Sequence, residues 1–154
     1  MQTIPRAIVL GGIIAGAGDI LYAFIFYGLR GIPPLSILQS IASGLLGRAS
    51  YAGGLATASL GALLHFSIAV AASATVYFAS RKFEWLIRHA VVSGLVFGVC
   101  VWLFMNFVVV PLSAFPHKQA FPPLVVVTGL LAHMFLFGVP IALCARAGTL
   151  RARA

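Results

Sequence analysis

Apolar residues fill this chain in four long, nearly unbroken runs, and each run holds one strongly polar side chain in its interior. The runs cover Ala7–Leu29, Leu55–Ser80, His89–Ser113 and Pro123–Arg146. A helix needs about 20 apolar residues to cross a hydrocarbon core about 30 Å thick, and all four runs are that long. They lack the two-residue alternation and hairpin spacing of strands, so the pattern predicts helices. Pro122-Pro123 suits a helix start, where a missing N–H costs little. Pro140 predicts a kink or one loosened turn in the fourth helix.

Between the first two runs the pattern changes. After Pro33-Pro34, the apolar residues Leu35, Leu38, Ile41, Ala42 and Leu45 recur at helical spacing, with Ser36, Gln39, Ser40 and Ser43 between them. This predicts a short amphipathic helix over residues 34–46 that lies on the outer membrane surface or plugs the bundle mouth, with a re-entrant segment as the competing reading. Gly44, Gly47, Gly53 and Gly54 supply joints around it. The fold class that follows is all-α integral membrane: one domain over residues 1–154, a four-helix transmembrane bundle with an external helix between its first and second spans.

Composition agrees. At 62% hydrophobic, 8% charged and a mean hydropathy of +1.10, the chain lies outside the range of soluble domains. The net charge of +8 does not signal nucleic acid, because the basic residues lie between and beyond the apolar runs and form no stripe. Their natural partners are membrane lipids. Arg6, Arg81, Lys82, Arg88, Arg146, Arg151 and Arg153 fall at one end of the bundle, against Arg30, Arg48 and Lys118 at the other. The positive-inside rule then predicts cytoplasmic termini. Tyr27, Tyr77 and Trp85 fall near the predicted interfaces, as an aromatic belt requires. The first run is too long for a signal-peptide core and reads as a retained helix. Cys100 and Cys144 lie inside apolar runs and read as packing residues.

The four interior polar residues are Asp19, His65, Asn106 and His133. At about 1.5 Å of rise per residue, they fall within about 5 Å of one another in depth. Small residues share the face of each: Gly12, Gly16 and Ala23 with Asp19; Ala58, Gly61, Ala69 and Ala72 with His65; Gly94 and Gly98 with Asn106; Gly129 with His133. Small residues mark where membrane helices approach closely, so all four polar side chains are expected to point inward and meet. The glycine pairs Gly12/Gly16 and Gly94/Gly98 suit packing inside the bundle, with a homo-oligomer or a larger membrane complex as the other use.

An intramembrane ionisable residue marks a functional site by default. One reading is a proton-, ion- or small-ligand-binding site, since imidazole changes charge near neutral pH. A second is a structural or accessory subunit whose polar layer fixes helix packing. A third is a cofactor site: Asp19, His65 and His133 around a divalent metal, or His65 and His133 as axial ligands of a haem. No HExxH, GxSxG, paired carboxylates or phosphate-cradling loop is present, so an enzyme is disfavoured. Glu84 pairs at helical i+4 spacing with Arg88, His89 and His117 sit at water interfaces, and Met105 and Met134 flank the polar layer as packing residues.

The second to fourth runs resemble the YagU-like group of bacterial inner-membrane proteins. The resemblance rests on LHFSIAVAASATVYFAS at Leu64–Ser80 and LAHMFLFG at Leu131–Gly138, with a Gly-rich first helix and the Pro111-Leu112 exit in the same order. It covers two-thirds of the chain, and the first external loop is shorter than in members of that group. It implies a bacterial inner-membrane location, and it carries His65 and His133 over as the positions of interest.

Overall fold

Alanines make up much of the interior of this bundle, and many large apolar side chains stand outside. The computed structural model describes residues 3–153. Among them lie α1 (Thr3–Gly28), α2 (Pro34–Leu46), a 3-10 stretch (Gly47–Ala52), α3 (Gly54–Lys82), the short α4 (Glu84–Arg88), α5 (Ala90–Leu112) and α6 (Pro123–Ala152). Ala15, Ala42, Ala58, Ala69, Ala132, Ala142 and Ala145 are buried, while Leu21, Ile25, Leu63, Phe104, Leu131 and Phe135 stand outside. Small residues inside let helix backbones approach, and large apolar ones outside match lipid tails. The four helices α1, α3, α5 and α6 are long and apolar enough to cross a membrane, and no strand occurs among the described residues. The chain is an all-α polytopic membrane protein.

Both glycine pairs work inside the bundle. A Cβ on Gly12 would meet Val70, and one on Gly16 would meet Phe66 and Ala69, so this pair seats α1 on α3. Gly94 and Gly98 meet the backbone of α6 at Val139, Gly138 and His133. Toward the end that holds the α4 connection, Ala15, Ala69, Val76, Tyr77, Phe137, Ile141 and Ala145 form one packed core. Tyr77, expected in an interfacial belt, is fully buried there. Its ring lies against the position of Gly148, and the residue beyond, Thr149, hydrogen-bonds Ser80 at 2.9 Å. These contacts also account for α6 running on past Arg146, where the apolar run stops.

Pro140, expected to disturb its helix, and Pro111, which was not, do so in the same way. Met105–Val109 and His133–Gly138 are π-helical segments, and each ends two residues before a proline, Pro111 or Pro140. A proline ring pushes away the carbonyl four residues back. A π turn inserts one residue and moves that carbonyl aside, a substitution of geometry often found at functional sites.

The helix α2 spans the expected residues and packs against the bundle. Its buried side chains are Ile37, Gln39, Ala42 and Ser43. Leu35 and Leu45, from the apolar row, are exposed. Its backbone presses on α3, where a Cβ at Gly61 would collide with the Leu38 carbonyl. Gln39 reaches across to Gly54 O at 3.1 Å and Thr57 Oγ1 at 3.4 Å, and Ser50 Oγ donates to Gln39 O. Polar residues face the bundle because hydrogen-bond partners exist there, so α2 is a wall of the bundle rather than a float on its surface. The predicted Glu84–Arg88 pair forms on α4 at 3.1 Å and is exposed.

Candidate functional site

Three of the four interior polar residues line one space. A half-open cavity of about 590 Å³ lies at the end of the bundle that carries α2. Asp19 from α1, Asn106 from α5 and His133 from α6 line it, with Tyr22, Tyr27, Trp102, Gln119 and Phe121. Ile41 and Leu45 of α2 close one side, and Lys118 and His117 of the 113–122 connection also contribute to its lining. That connection is held to α2 by the Ala114 N–H, which donates to Gly44 O at 2.9 Å.

His133 Nδ1 lies 3.0 Å from Gly129 O. A carbonyl only accepts, so Nδ1 carries the proton, and in the neutral ring Nε2 is the acceptor. The same Nδ1 lies 3.4 Å from Asp19 Oδ1, an ion-pair distance once the ring is charged. Both side chains are mostly enclosed, at 19% and 17% exposure. The π segment that begins at His133 and the close approach of its backbone to Gly98 set this ring's position.

Asn106 occupies the other π segment. Its Nδ2 donates to Trp102 O at 2.8 Å, and its Oδ1 accepts from Gln119 Nε2 at 3.0 Å. Tyr22 donates to Thr128 Oγ1 at 2.8 Å, which ties α1 to α6 at the level of the cavity. Sequence reasoning missed Gln119 and Tyr22. Tyr22 follows Asp19 by three residues on the same helix face, a signal that was available. Gln119 lies in an irregular connection, where spacing carries no such information.

His65 does not join this group. Its Nε2 donates to Gly16 O at 2.8 Å, and its ring meets Phe66 edge-on. The bond pins α3 to α1 beside the Gly16 contact. The expectation that all four polar residues meet is therefore corrected: three share a cavity, and His65 acts as a helix-to-helix link. Replacing His65 with Leu should cost about 0.6–1.7 kcal/mol of stability, the scale of intramembrane hydrogen bonds. Occupancy of the cavity by any ligand should change less than twofold, as read by titration in detergent.

Cofactor geometry follows from these positions. Among the described residues, no three His, Cys, Asp or Glu side chains cluster to hold a metal ion, so Asp19, His65 and His133 do not assemble a metal centre. The His65 Nε2 is engaged, and α1 and α3 touch beside it through Gly16, Phe66 and Ala69. Compared with known family models, curated proteins and solved structures, the chain matches none.

Proposed function

We propose that this chain is a membrane protein that binds a small ligand in the cavity framed by Asp19, Asn106 and His133. The observation that carries the reading is the cavity itself. Its volume of about 590 Å³ falls within the range of small-molecule sites, about 300–1,000 Å³, mostly apolar with a few convergent polar groups. Beyond the polar residues, the packed core around Ala69, Tyr77, Phe137 and Ile141 fills the bundle. A blind pocket suits binding better than continuous passage of protons or ions. The Gly16–His65 bond supports a second role for part of the polar layer, the fixing of helix register.

The excess of basic residues beside the termini favours a bacterial inner membrane with cytoplasmic termini, as does the YagU-like resemblance. The cavity then opens to the outside. A thermal-shift screen of polar and amphipathic metabolites tests the reading, run on the wild type and on Val125→Trp, whose new ring enters the cavity. Compounds that raise the melting temperature of the wild type alone are the expected result. An absence of such compounds, together with proton leak through wild-type proteoliposomes, would overturn binding in favour of conduction.

A further inference from the structure

The cavity encloses a carboxylate oxygen that no donor of the described residues reaches. Four of its donors are turned back into the protein, Tyr22 O–H to Thr128, the Asn106 amide to Trp102 O, the Gln119 amide to Asn106 and His133 Nδ1–H to Gly129 O, while Tyr27, Trp102 and Lys118 bring further donors to the lining. Asp19 Oδ1 is enclosed and has no hydrogen-bond partner among the described residues. The nearest candidate, His133 Nδ1, is at 3.4 Å, beyond the usual N–H···O range of about 2.7–3.2 Å. The Gln119 Oε1 and the His133 Nε2 of the neutral ring are further acceptors on residues that line the same cavity. A buried acceptor left unmet is costly, and a charged one more so.

We infer that the cavity takes a primary ammonium carried on an apolar or aromatic body, with Asp19 as its counter-ion. This rests on the small-ligand reading above and narrows it to a substrate class. An ammonium supplies three donors and no acceptor, which complements the unmatched Asp19 carboxylate and the Gln119 and His133 acceptors of the same lining. Tyr22, Tyr27, Trp102 and Phe121 supply ring faces for the body and for the cation itself. The exposed Lys118, also in the lining, is the one fixed cation there and the feature that an anionic ligand would use instead.

Three probes with one body separate these cases: 2-phenylethylammonium, 2-phenylethanol and 3-phenylpropionate. Trp102 reports binding through its fluorescence in Trp85→Phe protein held in nanodiscs. The expected result is saturable binding of the ammonium, with the alcohol and the carboxylate at least tenfold weaker. Asp19→Asn should erase that preference, and circular dichroism confirms that the variant is folded. The wild-type comparison stands even if the variant is not. Equal binding of ammonium and alcohol, or preference for the carboxylate, would overturn the inference and leave the pocket as a binding site. Silence from all three would overturn both, because a half-open cavity of this size admits a phenyl ring.

Discussion

Gly98→Ala is expected to lower the unfolding temperature in detergent by several degrees, and Gly98→Leu is expected not to purify as a monodisperse species. A Cβ at Gly98 would stand 2.1 Å from His133 O and 2.6 Å from His133 C. Those atoms are backbone and cannot swing aside. The opposing residue is equally tight, since a Cβ at Gly138 would stand 2.0 Å from Gly94 O. One methyl group must push α5 and α6 apart. Overpacking of this kind costs about 1–3 kcal/mol, sometimes more, and each kcal/mol moves the midpoint by about 2–4 °C in a chain of this size class. Because the displaced carbonyl belongs to His133, the site should loosen with the fold. Gly28→Ala is the control: a Cβ there meets nothing within 4 Å, and its midpoint should not move. An unchanged midpoint in Gly98→Ala would refute the backbone contact between α5 and α6.

The second effect concerns the Asp19–His133 pair. His133→Phe keeps a ring beside Phe137, which the imidazole already faces at 5.8 Å between centroids. It removes the only basic group within ion-pair distance of Asp19 among the described residues. A buried charge stripped of one partner is costly, about 3–5 kcal/mol, whereas replacing both members by apolar groups is often neutral. His133→Phe alone should destabilise by about 1 kcal/mol, well below that range, because the 3.4 Å contact is not a hydrogen bond. The double variant with Asp19→Leu should recover most of that loss. Reversible unfolding in mixed micelles, run on the two single variants and the double, gives the coupling. Additive losses would show that the two side chains do not interact, since neighbours in contact deviate from additivity by about 0.5–3 kcal/mol.

The architecture was legible because the hydrocarbon core imposes a length and a polarity that a sequence cannot hide. The first three spans were placed within a few residues. The fourth was cut short at Arg146 because the cue for its last turns is tertiary: Gly148 on Tyr77 and Thr149 on Ser80. Tyr77 was misplaced for a related reason. Position along a run suggests depth, but it does not say whether a ring faces lipid or a neighbouring helix. In α2, periodicity gave the helix and its two faces. It could not say which face turns inward, since a membrane bundle rewards polar contacts inside whenever partners such as Gly54 O and Thr57 are at hand.

The polar layer was legible as four residues and not as an arrangement. Equal depth and small-residue faces brought Asp19, Asn106 and His133 to one cavity. The same cues applied to His65, whose side chain was captured by the Gly16 carbonyl one turn short of Asp19. That capture depends on the packing angle between α1 and α3, which spacing alone does not contain. The π segments were half legible: Pro140 announced a loosened turn, whereas Pro111 was read only as the exit from its helix.

Asp19 and His133 belong to the first and the last spans, with 113 residues of chain between them. During synthesis the carboxyl group reaches the bilayer while the imidazole has not yet been made. The contact thus ties the first span to the last: a chain that ends before α6 lacks the imidazole beside its enclosed acid, and an isolated ionisable group in a membrane is costly.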